Sequence, residues 1–151
     1  MKVAKYLGST RRSEQLLAEA FLRVATKHEQ EADIRDVGRL LAAWSREHIE
    51  HLSLLGERYG EDENEPATLM GRNLITCTSE NGDALLRDLE SLWLLTQSVK
   101  INWLILHQTA QALGDTQFEG LSAGCCKAAE RQVKWIETQI KNAAAQALLA
   151  T

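Results

Sequence analysis

Proline occurs only once in this chain of 151 residues, at Pro66. An average soluble protein of this length contains roughly seven prolines, whereas the nine glycines are close to the usual share. This composition excludes a disordered chain rich in proline and glycine, and it disfavours a β-sandwich with many tight turns. Leucine, alanine and glutamate are the commonest residues instead, with arginine and glutamine also present. Because all five are good helix formers, the sequence predicts an all-α protein.

Four segments repeat apolar residues at the three-four spacing of an amphipathic helix. They cover residues 10–27, 34–59, 83–113 and 117–148. Ser9 or Thr10 is predicted to cap the first helix and Asp33 the second, while Thr116 and Glu119 have the spacing of a capping box for the fourth. A four-helix bundle buries all four apolar faces, so we expect residues 1–151 to form one helical-bundle domain.

The longest segment without helical periodicity is the connection of residues 60–82, which contains Pro66. The other two connections are short, so helices one and two, and helices three and four, should form antiparallel hairpins. When extended, the long connection exceeds the length of a helix. It therefore favours a crossover that returns along the bundle and makes helices two and three parallel. The alternative is that residues 60–82 fold into a cap at one end of the bundle, which would give simple up-down-up-down topology. Residues 67–74 could form a short helix in this connection.

The net charge of the chain and the length of its apolar runs argue against nucleic acid and membranes as partners. The net charge is −4 and the pI about 5.6, so no basic footprint for nucleic acid is expected. No run approaches the roughly 20 apolar residues that cross a bilayer, and the first residues lack the apolar stretch of a signal peptide. Cys77, Cys125 and Cys126 are an odd number of cysteines, which favours reduced thiols and a cytoplasmic location.

The segment Trp44-Ser45-Arg46-Glu47-His48-Ile49-Glu50-His51-Leu52 resembles the second helix of small bacterial ferritin-like proteins, some of which are linked to stress. Two helical hairpins joined by a long crossover are also similar to the ferritin-like superfamily, and the resemblance covers roughly residues 9–148. It implies a ferritin-like four-helix bundle. Di-iron members of that superfamily carry one Glu on each of two helices and a Glu-x-x-His pair on each of the other two.

That ligand pattern is absent from this sequence. No Glu is followed by His at the third position, and the fourth helix contains no histidine. The third helix offers only Asp88 and Glu90 as carboxylates near its start. The resemblance therefore implies the fold without the usual di-iron chemistry.

Two polar residues interrupt the apolar stripes, Glu14 on the first helix and His48 on the second. With a turn near residue 31 they lie equally far from it, so we expect them to face each other. Glu47 and His51 flank His48 and share one face of the helix. Two carboxylates and two imidazoles suit iron, manganese or zinc, which makes these four residues the candidate metal ligands. The simpler interpretation is a buried Glu14–His48 hydrogen bond with Glu47 and His51 in solvent.

A second pair, His107 and Cys125, lies at similar distances from the turn between helices three and four. A cysteine beside a histidine can act as a thiolate nucleophile or bind a soft metal. A cysteine on an apolar stripe is more often a small core residue. Gly120 and Gly124, followed by Ala128, give helix four a smooth face, which indicates either a groove for a ligand or, more simply, close helix packing. The four tryptophans are expected in the core.

No phosphate-binding loop or nucleophile elbow is present, so no catalytic residue is assigned. The favoured hypothesis is a non-enzymatic helical bundle that acts as an interaction or scaffold module, with a protein partner or as a homodimer. A divergent ferritin-like metal protein is the first alternative, with a first-row transition metal as its cofactor. The second alternative is a small-ligand-binding bundle with a tryptophan-lined cavity near Cys125 and His107.

Overall fold

The computed structural model describes residues 2–62, 64–66 and 83–150, in which the secondary structure is entirely helical. The helices are α1 (Val3–Lys27), α2 (Ala32–Tyr59), α3 (Ala84–Leu113) and α4 (Thr116–Leu149). α1 packs on α2 and α3 packs on α4, while α1 also contacts α3 and α2 contacts α4. The predicted all-α four-helix bundle of two hairpins is confirmed. None of the helices described here is long and apolar enough to cross a membrane.

Contacts at the two ends of the bundle establish that α2 and α3 run in the same direction. At one end the Tyr59 hydroxyl, in the last residue of α2, donates to Asp115 between α3 and α4. At the other end His28, just after α1, contacts Asp88 in the second turn of α3. α2 therefore ends where α3 ends. The two helices are parallel as expected, but they lie on the diagonal of the bundle and do not pack against each other, since α1 and α4 separate them.

The first residues of the long connection run back along α1. The Asp62 amide donates to the Ala4 carbonyl at 3.0 Å, and Arg12 Nε donates to the Glu65 carbonyl at 3.0 Å. The chain therefore leaves the end of α2 and proceeds towards the opposite end, as a crossover requires. The remainder of the connection, and with it the predicted short helix over 67–74, lies outside the described residues.

The predicted start of the first helix is wrong, because α1 begins at Val3 rather than near residue 10. Ser9 and Thr10 do not cap it. The Thr10 hydroxyl donates to the Tyr6 carbonyl at 2.6 Å, four residues back in the same helix. Val3 and Leu7 extend the buried apolar stripe by two turns, and their burial outweighs the preference of Ser and Thr for a helix end.

The caps of α2 and α4 also differ by one or two residues from the prediction. Glu31, not Asp33, is the N-cap of α2, and Asp33 lies in the first turn, where its charge suits the helix dipole. Asp115, not Thr116, caps α4 and accepts from the Phe118 amide at 3.1 Å. Gly114 ends α3 with φ of +66°, a left-handed conformation that glycine adopts without strain.

Asp115 should make the stability of this end of the bundle depend on pH. Hydrogen bonds from the Tyr59 hydroxyl and the Phe118 amide, with the Arg58 guanidinium, hold the pKa of Asp115 below its ordinary value. Because the folded pKa is lowered, this contribution is complete above the unfolded pKa of about 3.9 and is lost as the pH falls through the folded pKa. We therefore expect Asp115→Asn to destabilise the protein at pH 7 and to have little effect in strong acid. Urea unfolding at both pH values checks this, and an effect that does not change with pH would contradict it.

Candidate functional site

The centre of the bundle contains a buried Glu14–His48–Trp103 cluster drawn from three helices. Glu14 on α1 is fully buried, and its Oε2 accepts from His48 Nδ1 on α2 at 2.5 Å. The same oxygen accepts from the indole Nε1 of Trp103 on α3 at 3.0 Å. The His48 and Trp103 rings meet edge to face, with centroids 5.9 Å apart. The predicted juxtaposition of Glu14 and His48 is confirmed, and it is a direct hydrogen bond.

This cluster fixes the imidazole of His48 in one tautomer and one orientation. A carboxylate can only accept hydrogen bonds, so Nδ1 carries the hydrogen that it shares with Glu14. His48 is only 5% exposed, yet Nε2 has no hydrogen-bond partner among the described residues. A carboxylate that accepts from one ring nitrogen leaves the lone pair of the other nitrogen to accept a hydrogen bond or bind a metal.

Nε2 belongs to a side chain that lines a cavity of about 420 Å³ between α2 and α4, which we call the His48 pocket. α2 contributes Trp44, Glu47, His48 and His51, and α4 contributes Gly120, Leu121, Gly124, Cys125, Lys127, Ala128 and Arg131. His48 and Cys125 are its buried members. Lys127, Arg131 and Glu47 are exposed and form its rim.

The two glycines of α4 form a wall of the His48 pocket, which overturns the simpler interpretation that they allow close helix packing. A Cβ atom added at Gly120 or Gly124 would meet no atom of the described residues within 4 Å. Glycine inside a helix costs about 0.5–1 kcal/mol relative to alanine. No neighbouring helix requires glycine at either position, so their effect is to leave the pocket wide.

The four candidate metal ligands separate into two pairs. Glu14 binds His48 in the core, while Glu47 Oε1 and His51 Nε2 form an exposed pair 3.8 Å apart. Among the residues that the structure describes, no three His, Cys, Asp or Glu side chains converge as metal ligands would. The equal distances of Glu14 and His48 from the α1–α2 turn therefore predicted their contact, but they did not predict where Glu47 and His51 lie.

The predicted His107–Cys125 pair is not formed as a hydrogen bond in the described part of the chain. His107 Nδ1 instead contacts the Ser122 hydroxyl at 3.0 Å, which also donates to the Phe118 carbonyl one turn earlier. Cys125 lines the His48 pocket. Burial raises the pKa of its thiol, and the nearby Glu14 and Glu47 carboxylates raise it further. This environment opposes the thiolate that a nucleophile or soft-metal ligand needs.

Cys125 should consequently be slow to alkylate in the folded protein. We expect iodoacetamide at pH 8 to modify it at least about tenfold more slowly than in urea, because the reactive thiolate is scarce and the sulfur is buried. Mass spectrometry of the peptide that carries Cys125 and Cys126 measures the rate at each site. Equal rates in the folded and unfolded protein would show that Cys125 is open and ionised.

Comparison with known proteins finds no match. No family model, no curated protein and no solved structure corresponds to the chain. The ferritin-like resemblance therefore stays a prediction, and the argument for function depends on the geometry of the His48 pocket.

Sequence reasoning missed two parts of this site. Trp103 was expected in the core, where it is fully buried, but its role as the second donor to Glu14 depends on how α1 faces α3. Lys127 and Arg131 carried no signal, because charged residues on an outer helix face are common. Their position at the rim of a pocket appears only when α4 packs on α2.

Proposed function

We propose that this protein binds a small organic acid in the His48 pocket. The observation that carries the proposal is His48, a buried ring that Glu14 holds in place, which lines an open cavity and whose Nε2 has no partner among the described residues. An unpartnered polar atom at the floor of a pocket is satisfied by a ligand or by water. The volume of about 420 Å³ is within the range of small-molecule sites.

The chemistry of the pocket indicates an amphipathic ligand with an acidic head. The walls are apolar around Trp44, Leu121 and Ala128, so they suit an aromatic or aliphatic body. Because Nδ1 carries the hydrogen, Nε2 of His48 is an acceptor, so it suits an N–H or O–H group of the ligand and not the ligand's carboxylate. The carboxylate is expected at the rim, where two cations, Lys127 and Arg131, outnumber the one anion, Glu47.

This proposal adopts the second alternative from the sequence, a small-ligand-binding bundle, but places the ligand between α2 and α4. Trp44 and Cys125 line the cavity as that hypothesis expected, whereas His107 does not. A metal protein is supported less well, because the described His, Cys, Asp and Glu residues do not converge in groups of three.

Thermal unfolding in the presence of aromatic carboxylates tests the proposal. The probes are indole-3-acetate and 1-naphthoate, each compared with its neutral amide. A ligand at about a hundred times its Kd adds about 2.7 kcal/mol, which raises the Tm of a chain of this size by roughly 5–10 °C. We expect the acids to raise the Tm and the amides to have little effect.

A matched pair of variants locates the binding. Gly124→Leu places an apolar side chain in the His48 pocket, since a Cβ there meets no described atom within 4 Å, and it should abolish the shift. Ala145→Leu adds the same side chain to an exposed position on α4 away from the pocket and should preserve it. An undiminished shift in Gly124→Leu, or no shift with any acid, would overturn the proposal.

A further inference from the structure

The floor of the His48 pocket offers a ligand one strong hydrogen-bonding atom, Nε2 of His48. Among the residues that the structure describes, the buried side-chain atoms without a partner are Oε1 of Glu14, Glu61 and Gln132. Nε2 of His48 also lacks a partner but does not belong to that group, so it reaches the open space of the pocket. Cys125 also lines the pocket, but burial raises the pKa of its thiol, and a neutral thiol is only a weak hydrogen-bonding group. The polar selectivity of the floor therefore depends on whether Nε2 carries a hydrogen.

Trp103 determines which kind of atom faces Nδ1 of His48. The indole N–H can only donate, and it donates to the same Oε2 of Glu14 that faces Nδ1. The atom between the two rings must therefore be an acceptor, so Nδ1 has to supply a hydrogen of its own. In the neutral ring this leaves a lone pair at Nε2.

We propose that Glu14 determines the class of acid that the His48 pocket takes, although Glu14 is not among the residues that line it. By holding the hydrogen of His48 on Nδ1, it restricts the pocket to acids with an N–H or O–H donor at the end opposite the carboxylate, such as hydroxyaryl and indole acids. This specificity rests on the proposed function, the binding of an organic acid in the pocket. Glu14 is then a positioning residue that acts through His48.

An acid without the donor should bind about 10–100-fold more weakly, because it leaves a buried acceptor unpaired. His48 is only 5% exposed, so a ligand in the pocket removes the water that would otherwise satisfy Nε2. The carboxylate of either acid meets Lys127 and Arg131 at the rim. The difference in affinity therefore reports on the floor of the pocket alone.

Isothermal titration calorimetry with three matched naphthoates tests the proposal. 6-Hydroxy-2-naphthoate carries the donor, 2-naphthoate lacks it, and 6-methoxy-2-naphthoate has an acceptor in its place. We expect the wild type to bind the hydroxy acid about 10–100-fold more tightly than either of the others. Equal affinities for the three acids would overturn the proposal and leave the proposed function intact. No binding of any acid would overturn the proposed function, and this specificity with it.

Two variants of Glu14 separate positioning from a merely structural role. Glu14→Gln should retain the preference, because the Trp103 indole requires the amide oxygen beside it and the amide nitrogen then replaces Oε1, which has no partner to lose. Glu14→Leu should bring the affinities for the hydroxy acid and 2-naphthoate within about threefold of each other, since Nδ1 has no acceptor and either ring nitrogen can carry the hydrogen. A purely structural role would weaken all three acids equally. An unchanged ratio in Glu14→Leu, or its loss in Glu14→Gln, would overturn the proposal.

Nitrogen NMR of the free wild-type protein provides a test that needs no variant. Imidazole nitrogens with and without a hydrogen differ widely in chemical shift, so the spectrum assigns the tautomer. At pH 8 we expect Nδ1 of His48 to carry the hydrogen and Nε2 to have the shift of an unprotonated nitrogen. A hydrogen on Nε2 would overturn the proposal, even if Glu14→Leu does not fold.

Discussion

Replacing Glu14 by leucine is expected to lower the free energy of unfolding by about 3–5 kcal/mol, because two buried donors lose their acceptor at a cost of about 1–3 kcal/mol each. The substitution leaves His48 Nδ1 and Trp103 Nε1 without the oxygen that accepts from both. Each buried donor then loses its hydrogen bonds to water without a replacement. Urea unfolding at pH 7, followed by tryptophan fluorescence, measures the loss.

A double-mutant cycle separates this interaction from the effect of a changed side chain. His48→Leu alone should cost a similar amount, since it leaves the Glu14 carboxylate buried with only the Trp103 indole as a donor. The double variant should lose much less than the sum, because an apolar pair replaces a buried polar pair at small cost. Glu19→Leu on the exposed side of α1 is the control and should change stability by no more than about 0.5 kcal/mol. Additive losses would contradict the assignment of Glu14 and His48 as one unit.

Replacing Gly8 by alanine is the second large effect that we expect, a loss of about 2–3 kcal/mol. A Cβ at Gly8 would lie 2.0 Å from the carbonyl oxygen of Asp62 and 2.9 Å from its carbonyl carbon. These are backbone atoms, so they cannot rotate away as a side chain can. The start of the long connection would have to leave α1, which breaks the hydrogen bond from the Asp62 amide to the Ala4 carbonyl.

The matched variant is Gly124→Ala, which makes the same chemical change on α4. Its Cβ meets open space, so alanine should raise the free energy of unfolding by about 0.5–1 kcal/mol through its better helix propensity. Urea unfolding of both variants measures the contrast in sign. Stabilisation by alanine at both positions would show that residues 60–66 do not pack on α1.

The sequence was sufficient for those features that depend on local periodicity. The three-four spacing of the stripes predicts all four helices. The α1–α2 turn alone is enough to place Glu14 opposite His48. The length of the long connection favoured a crossover, since only a long segment can return along a helix, but it left a cap open, and the contacts of Asp62 and Glu65 along α1 decide the direction. Each of these predictions needs only the spacing of residues along one or two consecutive segments.

The remaining features depend on packing between elements distant in sequence. Ser9 and Thr10 have the chemistry of a helix cap, but Val3 and Leu7 find a core to pack on, and the helix continues through them. Gly124 was interpreted as a contact between helices, because nothing in the sequence shows that α2 stands away from it. The donor role of Trp103 likewise depends on contact between α1 and α3.

The central claim is that an organic acid binds in the His48 pocket and donates a hydrogen bond to Nε2 of His48, and long-range proton–nitrogen NMR of the imidazole side chains tests it most directly. The protein is titrated with the aromatic acid that produces the largest thermal shift. We expect the Nε2 signal of His48 to move and saturate with the ligand, while the signals of His28 and His107 stay in place. Saturation of the protein with no change at His48, or the same change in Gly124→Leu, would contradict the claim.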